Sequence, residues 1–264
     1  DGQIIINGVT VTSWDSAQGV PDTNVSDGRS YLAAKGQARM DIFRSEVAYL
    51  GYDAGEAAVA TAGVSWFVGD EEQQTASAVG EVSESRFHHN YHGVYLSGTR
   101  GVRLVASSFA DNDGYGVDLF GGTADTYVSD SRVYRNAQHG IVLAQNADRN
   151  WLEDNLVLHN GHHGIVLHEG SDDNVVKNNR LEANTDGVVV QRSARNTVAE
   201  NTILRHARGI RITHAPDTVL LSNAVTESRK AGIYLDPSAQ EVTYGSANTF
   251  HGDTRGRRVH VDMI

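Results

Sequence analysis

Seven glycines recur along the chain at nearly constant intervals, and this recurrence restricts the fold more than any other feature. They are Gly93, Gly116, Gly140, Gly164, Gly187, Gly209 and Gly232, spaced 22 to 24 residues apart. Each opens a similar segment: HGVYLSG, YGVDLFG, HGIVLAQ, HGIVLHE, DGVVVQR, RGIRITH and AGIYLDP. The residue after each glycine is β-branched: Val94, Val117, Ile141, Ile165, Val188, Ile210 and Ile233. Two positions further on it is always aliphatic: Leu96, Leu119, Leu143, Leu167, Val190, Ile212 and Leu235. Side chains two apart on a strand share a face, so these columns predict one continuous core and put the intervening residues outside.

A second strand follows in each repeat, as NWLEDN, NVVKNN and NTVAEN, with Leu152, Val176 and Val198 in register. Three asparagine columns accompany it: Asn150, Asn174 and Asn196; Asn155, Asn179 and Asn201; and Asn136, Asn160 and Asn184. Asparagine tolerates left-handed turns, and stacked amides can hydrogen-bond along the coil axis. A unit this short is no propeller blade, and it lacks the leucine-rich LxxLxLxxN pattern. It fits one coil of a solenoid with about three short strands. The predicted fold is therefore all-β: a right-handed parallel β-helix forming one domain over residues 1–264, with about ten coils. QIIINGVTV, RMDIFRSEV and AGVSWFV read as strands of its N-terminal part. Two insertions, about Ser13–Lys35 and Gly69–Gly80, are expected to leave one edge of a coil and wall a groove. Neither end carries an amphipathic cap, so the chain is expected to be part of a longer stack.

Composition narrows the function. The formal charge of −11 argues against nucleic acid as a partner. There is no cysteine, which removes disulfides, thiolate metal sites and cysteine nucleophiles. No apolar run is long enough to span a membrane. Of the 22 basic residues only Lys35, Lys177 and Lys230 are lysine, leaving 19 arginines, the side chain suited to bidentate contact with carboxylates. No HExxH motif is present and the histidine clusters lack a carboxylate pair at ligand spacing, so no metal and no cofactor are expected.

Three segments carry a family resemblance: GRSYLAAKGQARMDIFRSEVAYLGYD at 28–53, SRFHHNYHGVYLSG at 85–98 and DGYGVDLFGG at 113–122. They resemble the mannuronan C5-epimerases, which convert mannuronate to guluronate within alginate, and among these the periplasmic, calcium-independent branch. The calcium-binding GGxGxDxUx repeats of the secreted branch are absent. The resemblance implies a periplasmic or secreted protein acting on an alginate-like uronan, and a monomer without a membrane span is expected. The family's hallmark is YG(F/I)DPH(D/E), whose Tyr and His exchange the C5 proton with support from the Asp. Here the run is Tyr115-Gly116-Val117-Asp118-Leu119-Phe120. Tyr115 and Asp118 match, Leu119 replaces Pro, and Phe120 replaces His. The Asp or Arg that the family places one coil on, near Ala144 or Gln145, is also missing. The HHN element matches at His88 and His89, and the secreted branch has Arg where this chain has His162.

Epimerisation and β-elimination of a uronate begin alike. A base removes H5, and donors or cations neutralise the adjacent carboxylate so that charge can move into it. The outward columns supply candidates for both tasks. The residue before each glycine gives His92, Tyr115, His139, His163, Asp186 and Arg208, and the residue two after gives Tyr95, Asp118 and Arg211. Coils lie about 4.8 Å apart. Tyr95, Tyr115, Asp118, His92 and His139 are thus expected to converge across three coils. Tyr115, Asp118, His139 and His92 are the expected catalytic groups, with His139 or His92 offering the imidazole that Phe120 does not. Tyr95, His88, His89, Phe120, His162, His163, Arg208 and Arg211 are the expected substrate contacts.

Four readings follow. The first is a uronan C5-epimerase-like enzyme. The second is a polysaccharide lyase, in which one tyrosine can serve as both base and acid. A glycoside hydrolase needs two carboxylates on one face, and Asp118 lacks a near partner, since Asp186 is three coils away. The fourth is a uronan-binding protein without catalysis.

Overall fold

The computed structural model describes residues 2–26, 28–54, 59–69, 77–239, 241–251 and 259–261. Its strands form three parallel ten-stranded sheets. The first begins with Gln3–Asn7, the second with Thr10–Thr12 and the third with Leu32–Lys35. Each coil contributes one strand to each sheet in turn, which is the predicted parallel β-helix. Registry follows the glycine repeat: Val94 pairs with Val117, Val117 with Ile141, Ile141 with Ile165, Ile165 with Val188 and Val188 with Ile210.

The two inward columns of the third sheet are the core. Val94, Leu96, Val117, Leu119, Ile141, Leu143, Ile165 and Leu167 are all inaccessible to solvent. Burial of such a side chain is worth about 1.5–3 kcal/mol, and the stack repeats it coil after coil. The repeated glycines are set by space. A Cβ on Gly116 would lie 2.4 Å from Val133 Cγ1 and 2.7 Å from the Gly140 carbonyl oxygen. One on Gly140 would lie 2.5 Å from the Gly164 oxygen. Only glycine lets the neighbouring coil's backbone approach this closely.

The asparagine columns are buried hydrogen-bond ladders. Asn136 Nδ2 donates to Asn160 Oδ1 (2.9 Å), and Asn160 Nδ2 to Asn184 Oδ1 (3.1 Å). Asn155, Asn179, Asn201, Asn223 and Asn248 are linked in the same way. The laddered asparagines do not make the left-handed turns themselves, although Asn146 and Asn178, outside the ladders, do. The residue just before most of the laddered asparagines takes positive φ, as at Arg135, His159 and Ala183 or Asp154, Asn178 and Glu200. The asparagine itself is left free to point inward and bond.

The insertions flank the third sheet. The first leaves the second sheet after Thr12, forms a hairpin of Trp14–Asp15 against Val20–Pro21, and ends before Leu32, which already belongs to the third sheet. The insertion is therefore shorter than the expected 13–35. Buried Arg29 ties it down, donating from Nε to the Gly51 oxygen (2.7 Å) and from Nη1 to the His89 oxygen (2.9 Å). Its Nη2 reaches Asp113 at 3.4 Å. The connection from Ala48 to Val64 leaves the same edge. The expected insertion at 69–80 lies between the third and first sheets, and its residues 70–76 fall outside those described.

Candidate functional site

The outer edge of the third sheet carries a continuous stack of rings. His92 lies against Tyr115 (centroids 5.0 Å, 21°), Tyr115 against His139 (5.4 Å, 23°) and His139 against His163 (5.1 Å, 18°). This is the column before the repeated glycine, and the coil spacing alone brings the rings into contact. The backbone fixes how they present themselves. The Tyr115 amide donates to His92 Nδ1 (2.9 Å), the His163 amide to His139 Nδ1 (3.1 Å) and the Asp186 amide to His163 Nδ1 (3.2 Å). Burial depresses the rings' proton affinity, to about 4 for His92 and about 3 for His139, where the neighbouring His163, His162, His168 and Arg211 add to the effect. Burial also raises the Tyr115 phenol, with the Asp118 charge adding to it.

Asp118 sits one strand position outside the core, in register with Tyr95 on one side and Val142 on the other. It was expected to face the groove, yet it is only 5% exposed, and its Oδ1 has no hydrogen-bond partner. Desolvation pushes its carboxyl up to about 7. Tyr95 is half-buried beside it; burial and then the Asp118 charge raise its phenol. Tyr95 also contacts His92 (6.2 Å) and Phe120 (6.0 Å). The expected convergence of Tyr95, Tyr115, Asp118, His92 and His139 is thus present. Below Asp118 the same column continues as buried Val142, Val166 and Val189, an apolar floor.

At the far end of that floor lies a cationic cluster. Arg211 Nε is 3.0 Å from Asp186 Oδ2, and Arg208 Nη1 is 3.5 Å from Asp186 Oδ1. Asp186 is buried, while the two arginine side chains are about a quarter exposed. Two cations around one carboxylate leave a net positive charge on this face. His163 faces two donors, the Asp186 amide at Nδ1 and Arg211 Nη2 at Nε2 (3.2 Å). A neutral imidazole has one acceptor nitrogen, so the movable arginine is the donor left over.

Other expected contacts fall elsewhere. His162 is exposed and meets His139 edge-on at 5.3 Å. His88 and His89 are not part of the ring stack. His88 ends a strand of the second sheet, its Nε2 is 2.7 Å from Glu46 Oε1, and its Nδ1 is 2.7 Å from His89 Nδ1. His89 stacks on Tyr49 (5.0 Å) in the following turn. Three nearby residues escaped the sequence reading: Arg29, Tyr91 and Asp53. Tyr91 packs on His92 at 4.6 Å, and Asp53 hydrogen-bonds Tyr91 and faces His92. GYD at 51–53 and HHNY at 88–91 were visible, but the long connection that brings Asp53 back has no periodic signal. Among the described residues no group of three or more His, Cys, Asp or Glu is placed to hold a metal ion. No helix among them is long and apolar enough to cross a membrane.

Comparison with known proteins places this geometry in context. The family model for the right-handed beta helix region matches residues 73–225. The mannuronan C5-epimerase of Pseudomonas putida is 24% identical over 245 residues, which are 89% of this chain and 46% of that protein. The chain therefore spans about half the length of that curated relative. The periplasmic alginate epimerase AlgG superposes with a TM-score of 0.84 at 20% identity, over 100% of this chain and 70% of that one. The A-module of the Azotobacter vinelandii mannuronan C-5 epimerase AlgE4 gives 0.62 at 14% identity, over 100% and 89%. At these identities the superpositions establish the fold.

Proposed function

We propose that this chain, which belongs to the right-handed β-helix family, removes and returns the C5 proton of a uronate within an acidic polysaccharide, as a mannuronan C5-epimerase does. One observation carries the reading. Tyr115 is clamped between two neutral imidazoles beside a buried carboxyl whose proton affinity lies near neutrality. Tyr115, its phenolic proton passed to Asp118, takes H5 as the phenolate, and a solvent proton returned to the opposite face of C5 completes the inversion. The electrons left at C5 move into the sugar's carboxylate, which needs donors around it. Arg208 and Arg211 hold the carboxylate of a sugar further along the chain, and Tyr95, Phe120 and His162 line the path between. The name of the Pseudomonas putida relative supports mannuronan as the substrate class. We assign the protein to the periplasm or the exterior of the cell, acting as a monomer.

Phe120 favours one alternative. Where the family uses a histidine for the second proton transfer, this chain has a ring that cannot carry one. A single tyrosine that takes H5 and then protonates the departing O4 would make the protein a lyase. The test is incubation of polymannuronate in D₂O, followed by NMR and by ultraviolet absorbance of unsaturated uronate. Deuterium at C5 with new guluronate supports the epimerase. Rising absorbance replaces it with the lyase. Silence in both, repeated on glucuronan and pectate, rejects uronate chemistry and leaves a binding protein.

A further inference from the structure

The ring stack assigns roles to its histidines that the sequence leaves open. His92 and His139 lie on either face of Tyr115. A histidine so close to a proton-moving tyrosine would ordinarily be read as its acid or base partner. The backbone argues otherwise. Each ring receives an amide N–H from the next coil at Nδ1, at 2.9 Å for His92 and 3.1 Å for His139. That bond needs the Nδ1 lone pair, so the ring proton of the neutral form is held on Nε2. A second proton could be added only at Nδ1, against an N–H already pointing there. It would break the bond and leave a part-buried amide without its acceptor. Taking a proton at Nε2 is equally closed, since that nitrogen already carries one.

We propose that His92 and His139 are fixed hydrogen-bond donors. Each presents Nε2–H to the carboxylate of the uronate seated over Tyr115, and neither gains or loses a proton during the reaction. Tyr115 is then the one member of this trio that moves a proton. The inference rests on the uronate reading above and deepens it: the rings neutralise charge on the substrate without carrying charge themselves. The surroundings keep them neutral. His92 is faced by Tyr91, Tyr95, Tyr115 and Asp53, of which only Asp53 favours a cation. His139 is faced by Tyr115, His162, His163, His168 and Arg211, none of which does.

The neighbouring ladders suggest the discriminating substitution. In those columns an asparagine accepts the same kind of interstrand amide through Oδ1 and keeps an N–H for donation, as Asn160 does for Asn136. His139→Asn therefore retains an acceptor and a donor while removing all basicity. If His139 only donates, the variant stays within about tenfold of wild type, the scale of one weakened hydrogen bond. His139→Leu, which can do neither, falls further. If His139 is an acid or base, Asn is as damaging as Leu, by about 10²–10⁴-fold.

The direct test is ¹⁵N NMR of the histidine rings in the full chain, with His92→Asn and His139→Asn used for assignment. Both rings should carry the proton on Nε2, with Nδ1 unprotonated, and neither should titrate over about pH 5 to 8. A mannuronate oligosaccharide should shift both Nε2–H signals, and the same oligosaccharide with its carboxylates reduced to alcohols should not. A proton on Nδ1, titration near the ordinary histidine value, or Nε2–H signals unmoved by bound oligosaccharide would overturn the proposal. C5 exchange in the same samples separates this from the functional reading. Exchange without a ring response removes the donors and leaves the uronate chemistry. A ring response without exchange or elimination keeps the donors and removes the chemistry. An oligosaccharide that does not bind removes both.

Discussion

The outer faces of the first and third sheets are built by the same coils and carry the same inward pattern, yet they differ in what they bury. On the first sheet, Tyr127 and Trp151 stack in parallel at 5.8 Å, and Trp151 remains 37% exposed. Lys177 lies between Glu153 and Glu200 at 3.6 and 3.8 Å, in an exposed ion-pair network. On the third sheet the equivalent outward positions bury Asp118 with an unpartnered oxygen and hold histidines in their neutral form. The solenoid demands neither arrangement. A face that carries desolvated titratable groups where its sister carries a solvated surface is bearing a cost the fold does not require, and such costs gather where chemistry is done.

The sharpest way to break this contrast is at Asp118. Its carboxyl is raised to about 7 from an ordinary value of 3.8. Between those values the folded state holds a proton that the unfolded chain has released. Stability therefore falls as pH rises through this window, and the cost is complete above it. Asp118→Asn should be more stable than wild type at about pH 8, by up to about 4 kcal/mol, with the gain shrinking toward pH 4. Urea denaturation at both pH values measures it; no gain at the higher pH would mean that the carboxylate is satisfied and the third face is ordinary.

The next effect concerns the coil itself. Gly116→Ala places its methyl against Val133 and the Gly140 oxygen, and should cost about 2–3 kcal/mol. Gly122→Ala, where nothing lies within 4 Å but φ is +77°, should cost only about 1 kcal/mol. Equal losses would show that conformation, rather than contact between coils, fixes the glycine register. Arg211→Gln should weaken polymannuronate binding about tenfold at low salt, and less as salt rises; calorimetry at two ionic strengths checks it. On the first sheet, Lys177→Ala should change stability by no more than about 0.5 kcal/mol. A larger loss there would erase the contrast from the other side.

Most of the fold could be read from the chain because its constraints are periodic. Gly116, Val117 and Leu119 recur one coil later as Gly140, Ile141 and Leu143, and a coil that must stack on its copy repeats its chemistry. What was missed is what does not repeat. The asparagine columns do not tell which residue turns left-handed: beside the ladders it is the preceding one, at side chains as different as Arg135, His159 and Ala183, because the laddered asparagine is held inward. Asp118 reads as groove-facing from alternation alone. That it is covered depends on the bulk of neighbouring columns, which alternation does not express. His88 and His89 share a motif with Tyr91 and His92, yet a turn falls between them and sends the two pairs to different clusters. Arg29 and Asp53 enter from irregular connections, where sequence carries no register.

The most direct test of the central claim is the rate at which solvent deuterium enters C5 of polymannuronate, measured for wild type and Tyr115→Phe at matched folded fraction. The account predicts a loss of at least about a hundredfold, with polymer affinity nearly unchanged. A variant that exchanges at the wild-type rate would place the proton transfer away from the ring stack and contradict it.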